Sequence, residues 1–252
     1  MVRIAGCGER WDRIGAIAPD DWKGAVQAVA RGTQLVSPSG ESLVWLDEPC
    51  ALALHQSSPQ RRLALRVRAY TLVLLDADDQ LVKTFPLDGA TATEAAAWIA
   101  KQGSSNDAEV DLPAAPNPDV LVHIDRTLSN VHHTLARVGR VTHGASAPRT
   151  NPVTLETWAR IALASREGES PRFIDLGLSP SGDQGHLYVR AQPPADEPDE
   201  PSDWRFPVSS IAAMSDVDAQ ATTVEQFLGE SLEKAYARLR RQWRSRRPSG
   251  AA

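Results

Sequence analysis

Over residues 62–68 apolar and charged positions alternate: Leu63, Leu65 and Val67 fall on one side, Arg62, Arg66 and Arg68 on the other. A period of two is the signature of a half-buried strand. From Tyr70 to Leu75 both sides turn apolar, as where a strand enters the middle of a core. Asp76-Ala77-Asp78-Asp79 interrupts, extended character resumes over 81–87, and the whole stretch reads as a β-hairpin. Shorter strands are predicted at 43–46, 50–55, 173–178, 186–189 and 204–211.

Helical periods fill much of the rest. Trp22, Val26 and Val29 form one stripe behind the caps of Pro19-Asp20-Asp21, predicting a helix that stops before Gly32. Thr91 and Glu94 make a capping box for a helix carrying Trp98 and Ile99 and stopping at Gly103. From Asp119, Leu121, Ile124, Leu128, Val131, Leu135 and Val138 alternate steps of three and four, the seam of a long helix packed within its own domain. Another helix is predicted after Asn151-Pro152, with Leu155, Trp158 and Ala162. Thr222 and Glu225 propose a last one through Phe227, Leu228, Leu232, Ala235 and Leu239. The fold class is therefore α+β, an antiparallel sheet with flanking helices. A Pro-, Ser- and Asn-rich stretch suggests one unit over 1–103, a linker over 104–118 and a second unit over 119–252.

The two halves share landmarks in order. A Trp-bearing helix (Trp22; Trp158) precedes Ser-Pro-Ser-Gly (Ser37; Ser179), then a strand with Phe-Pro (Phe85; Phe206), then a Thr-x-x-Glu cap (Thr91; Thr222). That order suggests two similar halves from an internal duplication.

Composition adds three constraints. Hydrophobic content of 42% with 23% charged residues is that of a soluble globular chain. The net charge of −5 is unevenly spread, because the stretch from Lys234 to Arg247 has seven basic residues and no acidic one. Taking that +7 from −5 leaves −12 elsewhere: an acidic body with a basic C-terminal handle. Only two cysteines, Cys7 and Cys50, are present, too few for a disulfide framework or a four-Cys zinc site. No apolar run reaches the ~18 residues of a membrane helix, and charge and glycine precede any signal-like run. The expected address is the cytoplasm, with no membrane partner.

Candidate chemistry is sparse. Leu72-Val73-Leu74-Leu75-Asp76-Ala77-Asp78 resembles the nucleophile loop of haloacid-dehalogenase-type phosphatases. The resemblance implies that Asp76 attacks phosphorus, Asp78 moves a proton and magnesium neutralises charge. It covers about ten residues; Gln80 stands where that family has Thr, no Gly-Asp-x-x-x-Asp follows, and aspartates are also ordinary turn residues. His123, His132, His133 and His143 cluster in sequence, but none shares the i,i+4 spacing of helical metal ligands, so they read as solvated surface side chains. No nucleophile elbow, phosphate loop or dinucleotide fingerprint occurs. No catalytic residue, metal or cofactor is predicted, and the chain leans away from being an enzyme.

The remaining candidate is the basic end: Arg238, Arg240, Arg241, Trp243, Arg244, Arg246 and Arg247. Such a set binds phosphates while the indole stacks on a base. It equally suits a solvated helix end, or self-association against the acidic loop around Asp196, Glu197, Asp199, Glu200 and Asp203. The leading expectation is a non-catalytic binding or accessory protein (chaperone, adaptor or assembly subunit) acting on a protein partner or by self-association. The alternative is an RNA- or DNA-binding or processing protein using the Arg-rich helix. Thiol titration of the denatured, non-reduced protein should find two free groups; finding none would overturn the reducing compartment.

Overall fold

The computed structural model describes residues 11–55, 61–102, 110–164, 171–192 and 202–245. In chain order these form α1 (Pro19–Val36), β1 (Leu43–Leu46), β2 (Ala51–Leu54), β3 (Arg61–Arg66), β4 (Thr71–Asp76), β5 (Leu81–Pro86) and α2 (Ala92–Ala100). The second half follows with α3 (Pro118–Val141), β6 (Arg149–Thr150), β7 (Thr157–Leu163), β8 (Arg172–Ser179), β9 (His186–Gln192), β10 (Asp203–Pro207), α4 (Val208–Ala212) and α5 (Val217–Ser245). The strands make one antiparallel ten-stranded sheet in the order β10-β9-β8-β7-β6-β1-β2-β3-β4-β5. Two five-stranded meanders thus meet through their first strands, and the meeting point is one register pair, Leu43↔Thr150.

One face of this sheet carries the core. The buried apolar residues of the helices and the inward side chains of the strands form a single cluster spanning both halves, from Leu43 and Leu65 to Ile174 and Val189. A second, helix-free cluster of Ala51, Ala53, Ala64, Val73 and Leu75 lies on the opposite face of the first meander. All six seam residues of α3 are buried, as their spacing predicts. Polar ties hold the segment before α1 to second-half helices. The Gln220 side chain accepts from Ile14 N at 3.0 Å and donates to Ile14 O at 2.9 Å, while Asn130 does the same for Asp12 at 2.9 and 2.7 Å.

Several local readings change. The run over 62–75 is two strands, because the chain reverses between Val67 and Tyr70, with Tyr70 at φ 45° and its amide donating to Val67 O. Burial of the Tyr70 ring, whose hydroxyl reaches Ala28 O at 3.3 Å, holds that unfavourable conformation in place. Gly32 does not end α1. A Cβ there would meet Leu65 at 3.0 Å and Leu87 at 3.3 Å, so the glycine lets α1 lie close on the sheet. Residues 157–163 form β7, not a helix. Thr157, Ala159 and Ile161 are buried alternately, and Asn151 folds the preceding turn by accepting from Val153 N at 2.8 Å and Thr154 N at 3.1 Å. Beyond Pro207 the chain enters α4 instead of extending its strand. α5 starts at Val217, with Asp216 accepting from Ala219 N at 2.8 Å, so Thr222 lies inside the helix.

These corrections bear on the repeat. Both halves run helix, then five strands, but the first closes with one helix, α2, and the second with two, α4 and α5. Yet Trp22 is helical while Trp158 is on β7, and Ser37 follows α1 while Ser179 ends β8. Thr91 caps α2 and Thr222 does not cap α5; only the Phe-Pro pairs occupy matching places, the ends of β5 and β10. The landmarks do not establish a duplication. Cys7, Gly103 and the acidic residues Asp196, Glu197, Asp199 and Glu200 lie outside the described residues.

Leu128 is 2% exposed in the middle of α3. Leu128→Ala should lower stability by about 2–5 kcal/mol in chemical denaturation, and an unchanged midpoint would mean that the seam is not core.

Candidate functional site

The sheet is weakest where its halves join, and a cleft opens there. β1 pairs with β2 along its whole length, from Leu43↔Leu54 to Leu46↔Ala51. On its other side it meets β6 only at Leu43. The chain leading into β6 turns instead toward β7, with Ser146 N donating to Arg160 O at 2.7 Å. Between the diverging strands lies a cleft of about 440 Å³, walled by Val44, Trp45 and Leu46 on one side and Ala147 and Pro148 on the other. Side chains of α3, including Ala136, also line it. The volume is within the usual range of ligand pockets.

A buried polar chain lies beside the joint. His132 Nε2 is 2.8 Å from Thr150 Oγ1, and Thr150 Oγ1 is 2.9 Å from Thr157 Oγ1. Burial pushes the His132 pKa down to about 3, so the ring is neutral. A hydroxyl beside an imidazole is the geometry of an activated nucleophile. Thr150 is fully buried, however, so no substrate reaches it, and the pair is structural. The Trp45 ring lies against His132 at 6.1 Å between centroids.

The rim is acidic. Asp47, Glu48 and Asp79 line the cleft, with His133 Nε2 bonded to Asp47 Oδ1 at 2.7 Å and Arg62 paired with Asp79. Cys50 is close by in sequence, its thiol donating to Asp47 O at 3.0 Å. Partial burial and the nearby Asp125 raise the Cys50 pKa, which disfavours the reactive thiolate. The cleft therefore presents a strand edge that has no ladder partner beyond Leu43 among the described residues, together with apolar walls and carboxylates.

The residues expected to bind are divided. Arg238 is buried at 1% exposure, because it follows Ala235 by one helical turn on the sheet-facing side of α5. Its side chain is turned into the fold and away from solvent. Arg240 and Arg241 are exposed, Trp243 is half-buried, and Arg244 lies on the last turn. Arg246 and Arg247 lie outside the described residues. Arg240 and Trp243 line a groove of about 290 Å³ together with Arg172, Leu163, Tyr236 and Leu239. Tyr236 was legible in the i, i+4, i+7 spacing of Tyr236, Arg240 and Trp243; Arg172, from β8, was not.

The histidines do not form a solvated cluster. Gly15 N donates to His123 Nδ1 at 3.1 Å, His132 is buried, His133 bridges to Asp47, and of the four only His143 is exposed. Among the described residues no three His, Cys, Asp or Glu side chains gather as metal ligands. Asp76 Oδ1 accepts from Asp78 N and Gln80 N, both at 2.9 Å, which is hairpin-turn chemistry. Around it the sheet is antiparallel throughout, without the β/α alternation of the phosphatase fold.

Compared with known proteins, the chain matches no family model, no curated protein and no solved structure. No described helix is long and apolar enough to cross a membrane.

The lowered pKa of His132 ties it to acid stability. The unfolded state binds a proton near pH 6.5 that the folded state refuses until about pH 3, so the contribution is complete above 6.5 and falls as pH drops toward 3. A tenfold difference in proton affinity between the two states corresponds to about 1.4 kcal/mol. Urea denaturation at pH 7 and pH 4.5 should show wild type losing more stability than His132→Gln; equal losses would place the proton elsewhere.

Proposed function

We propose that this is a non-catalytic binding or accessory protein, a chaperone, adaptor or assembly subunit that acts on a protein partner in the cytoplasm. The observation that carries the reading is the cleft at the β1–β6 joint, where strand edge lies open beside apolar walls. Unpaired strand edges recognise other chains through main-chain hydrogen bonds, and alternate side-chain pockets add selectivity. The buried Thr150 hydroxyl and the disfavoured Cys50 thiolate speak against catalysis at this place.

A second reading has its own observation. The groove of Arg172, Arg240, Tyr236 and Trp243 puts cations beside aromatic rings, the combination that holds single-stranded nucleic acid. The charge of the rest of the chain opposes it, since the body without the basic handle stands at −12.

Photo-crosslinking separates the two. With a photoreactive residue at Val44, native lysate should give a protease-sensitive, nuclease-resistant adduct, absent with the same residue at exposed Val153. Salt-sensitive RNA or DNA binding at physiological salt, lost in Arg240→Ala with Arg241→Ala, would overturn this order.

A further inference from the structure

The walls and rim of the cleft set the chemistry that it would accept. Backbone groups of a strand point alternately to its two sides, so of Trp45 and Leu46 one presents its N–H and C=O away from β2. That side has no ladder partner beyond Leu43 among the described residues. Pro148 on the far wall has no N–H to offer, so at that position an entering chain finds no backbone donor opposite β1.

The outer edges of the sheet are guarded by comparison. β5 exposes Leu81 and Val82, but it carries Lys83, ends in Pro86 and lies against a register shift at Leu74/Leu75. β10 carries Asp203 and Arg205 and ends in Pro207. Charges, prolines and bulges of this kind discourage strand addition. The open side of β1 has none of them within its four residues, Leu43 to Leu46.

Charge then selects the occupant. Asp47, Glu48 and Asp79 stand at the mouth, and among the described residues only Asp47 and Asp79 of these have a basic side chain against them. The apolar walls suit the aliphatic stem of a long side chain whose charged head stays at the rim. We infer that the β1 fork docks an extended, basic segment of a partner protein, which pairs with β1 and sets a Lys or Arg head beside Glu48. This rests on the protein-binding reading above and names the chemistry of its partner.

The test uses the full chain labelled with ¹⁵N. The probe is a blocked heptapeptide alternating Thr and Arg; its Thr/Glu counterpart and a form N-methylated at alternate residues are the controls. The basic probe should move the amide signals of Val44, Trp45 and Leu46, and the Thr/Glu peptide should not. N-methylation should weaken binding about three- to tenfold for each ladder bond removed, measured on the unaltered protein so that folding of a variant is not at issue. Glu48→Lys should weaken the basic probe while leaving the thermal midpoint unchanged. Equal binding of both peptides, indifference to N-methylation, or shifts confined to the α5 groove would overturn the inference. So would tighter binding of a peptide spanning 238–252, which would make the fork an interface between copies of this chain. If the probes fail but the Val44 adduct forms, only this inference is lost; if neither binds, the protein-binding reading fails with it.

Discussion

The tertiary structure turns on one rung of β-ladder, Leu43↔Thr150, which joins two meanders into a single sheet. One pair of residues is a weak joint for strands, since isolated two-residue pairing supplies little free energy in water. The polar chain His132–Thr150–Thr157 reinforces it from below, inside the core, where each unsatisfied group would cost about 1–3 kcal/mol. Thr33 ties α1 to the same place by donating to Pro152 O at 2.6 Å. With those bonds made, α3 lies across the joint and its apolar seam draws both halves into one core cluster. Removing the Thr150 hydroxyl would take from the buried His132 imidazole its Nε2 partner, so the joint and the core stand together.

The same joint creates the cleft. A sheet twists, and neighbouring strands diverge wherever the ladder is short. The chain entering β6 is held toward β7, with Ser146 N donating to Arg160 O at 2.7 Å, so β1 runs on past Leu43 without a ladder neighbour among the described residues. The opening and the joint are two sides of one geometric fact. Its acidic rim comes from turns that must be polar for local reasons: Asp47 and Glu48 in the β1–β2 turn, Asp79 in the β4–β5 turn at φ 59°.

The charged surface of the second meander behaves differently. Arg160, Asp175, Arg190 and Asp203 stand opposite one another across β7, β8, β9 and β10, alternating in sign. The Arg160 guanidinium also lies 3.8 Å over the Phe173 ring. Such cross-strand pairing satisfies the face internally. Charge there keeps the sheet surface solvated, whereas charge at the fork has carboxylate to spare.

Much of the local structure follows from the sequence alone. Period-two alternation places Leu63 and Leu65, the Thr91–Glu94 capping box starts α2, and three-and-four spacing marks the buried face of α3, because each depends on near neighbours only. The Asp76 turn belongs with them, its hydrogen bonds closing within four residues. Tertiary structure decided the rest. Residues 157–163 satisfy a helical spacing through Leu155, Trp158 and Ala162 and a strand alternation through Thr157, Ala159 and Ile161; pairing with β8 selected the strand. Arg238 and His132 are polar by sequence and buried by packing against the sheet. The cleft has no sequence signature, because it is defined by a ladder that stops, and where a ladder stops depends on contacts between residues far apart along the chain.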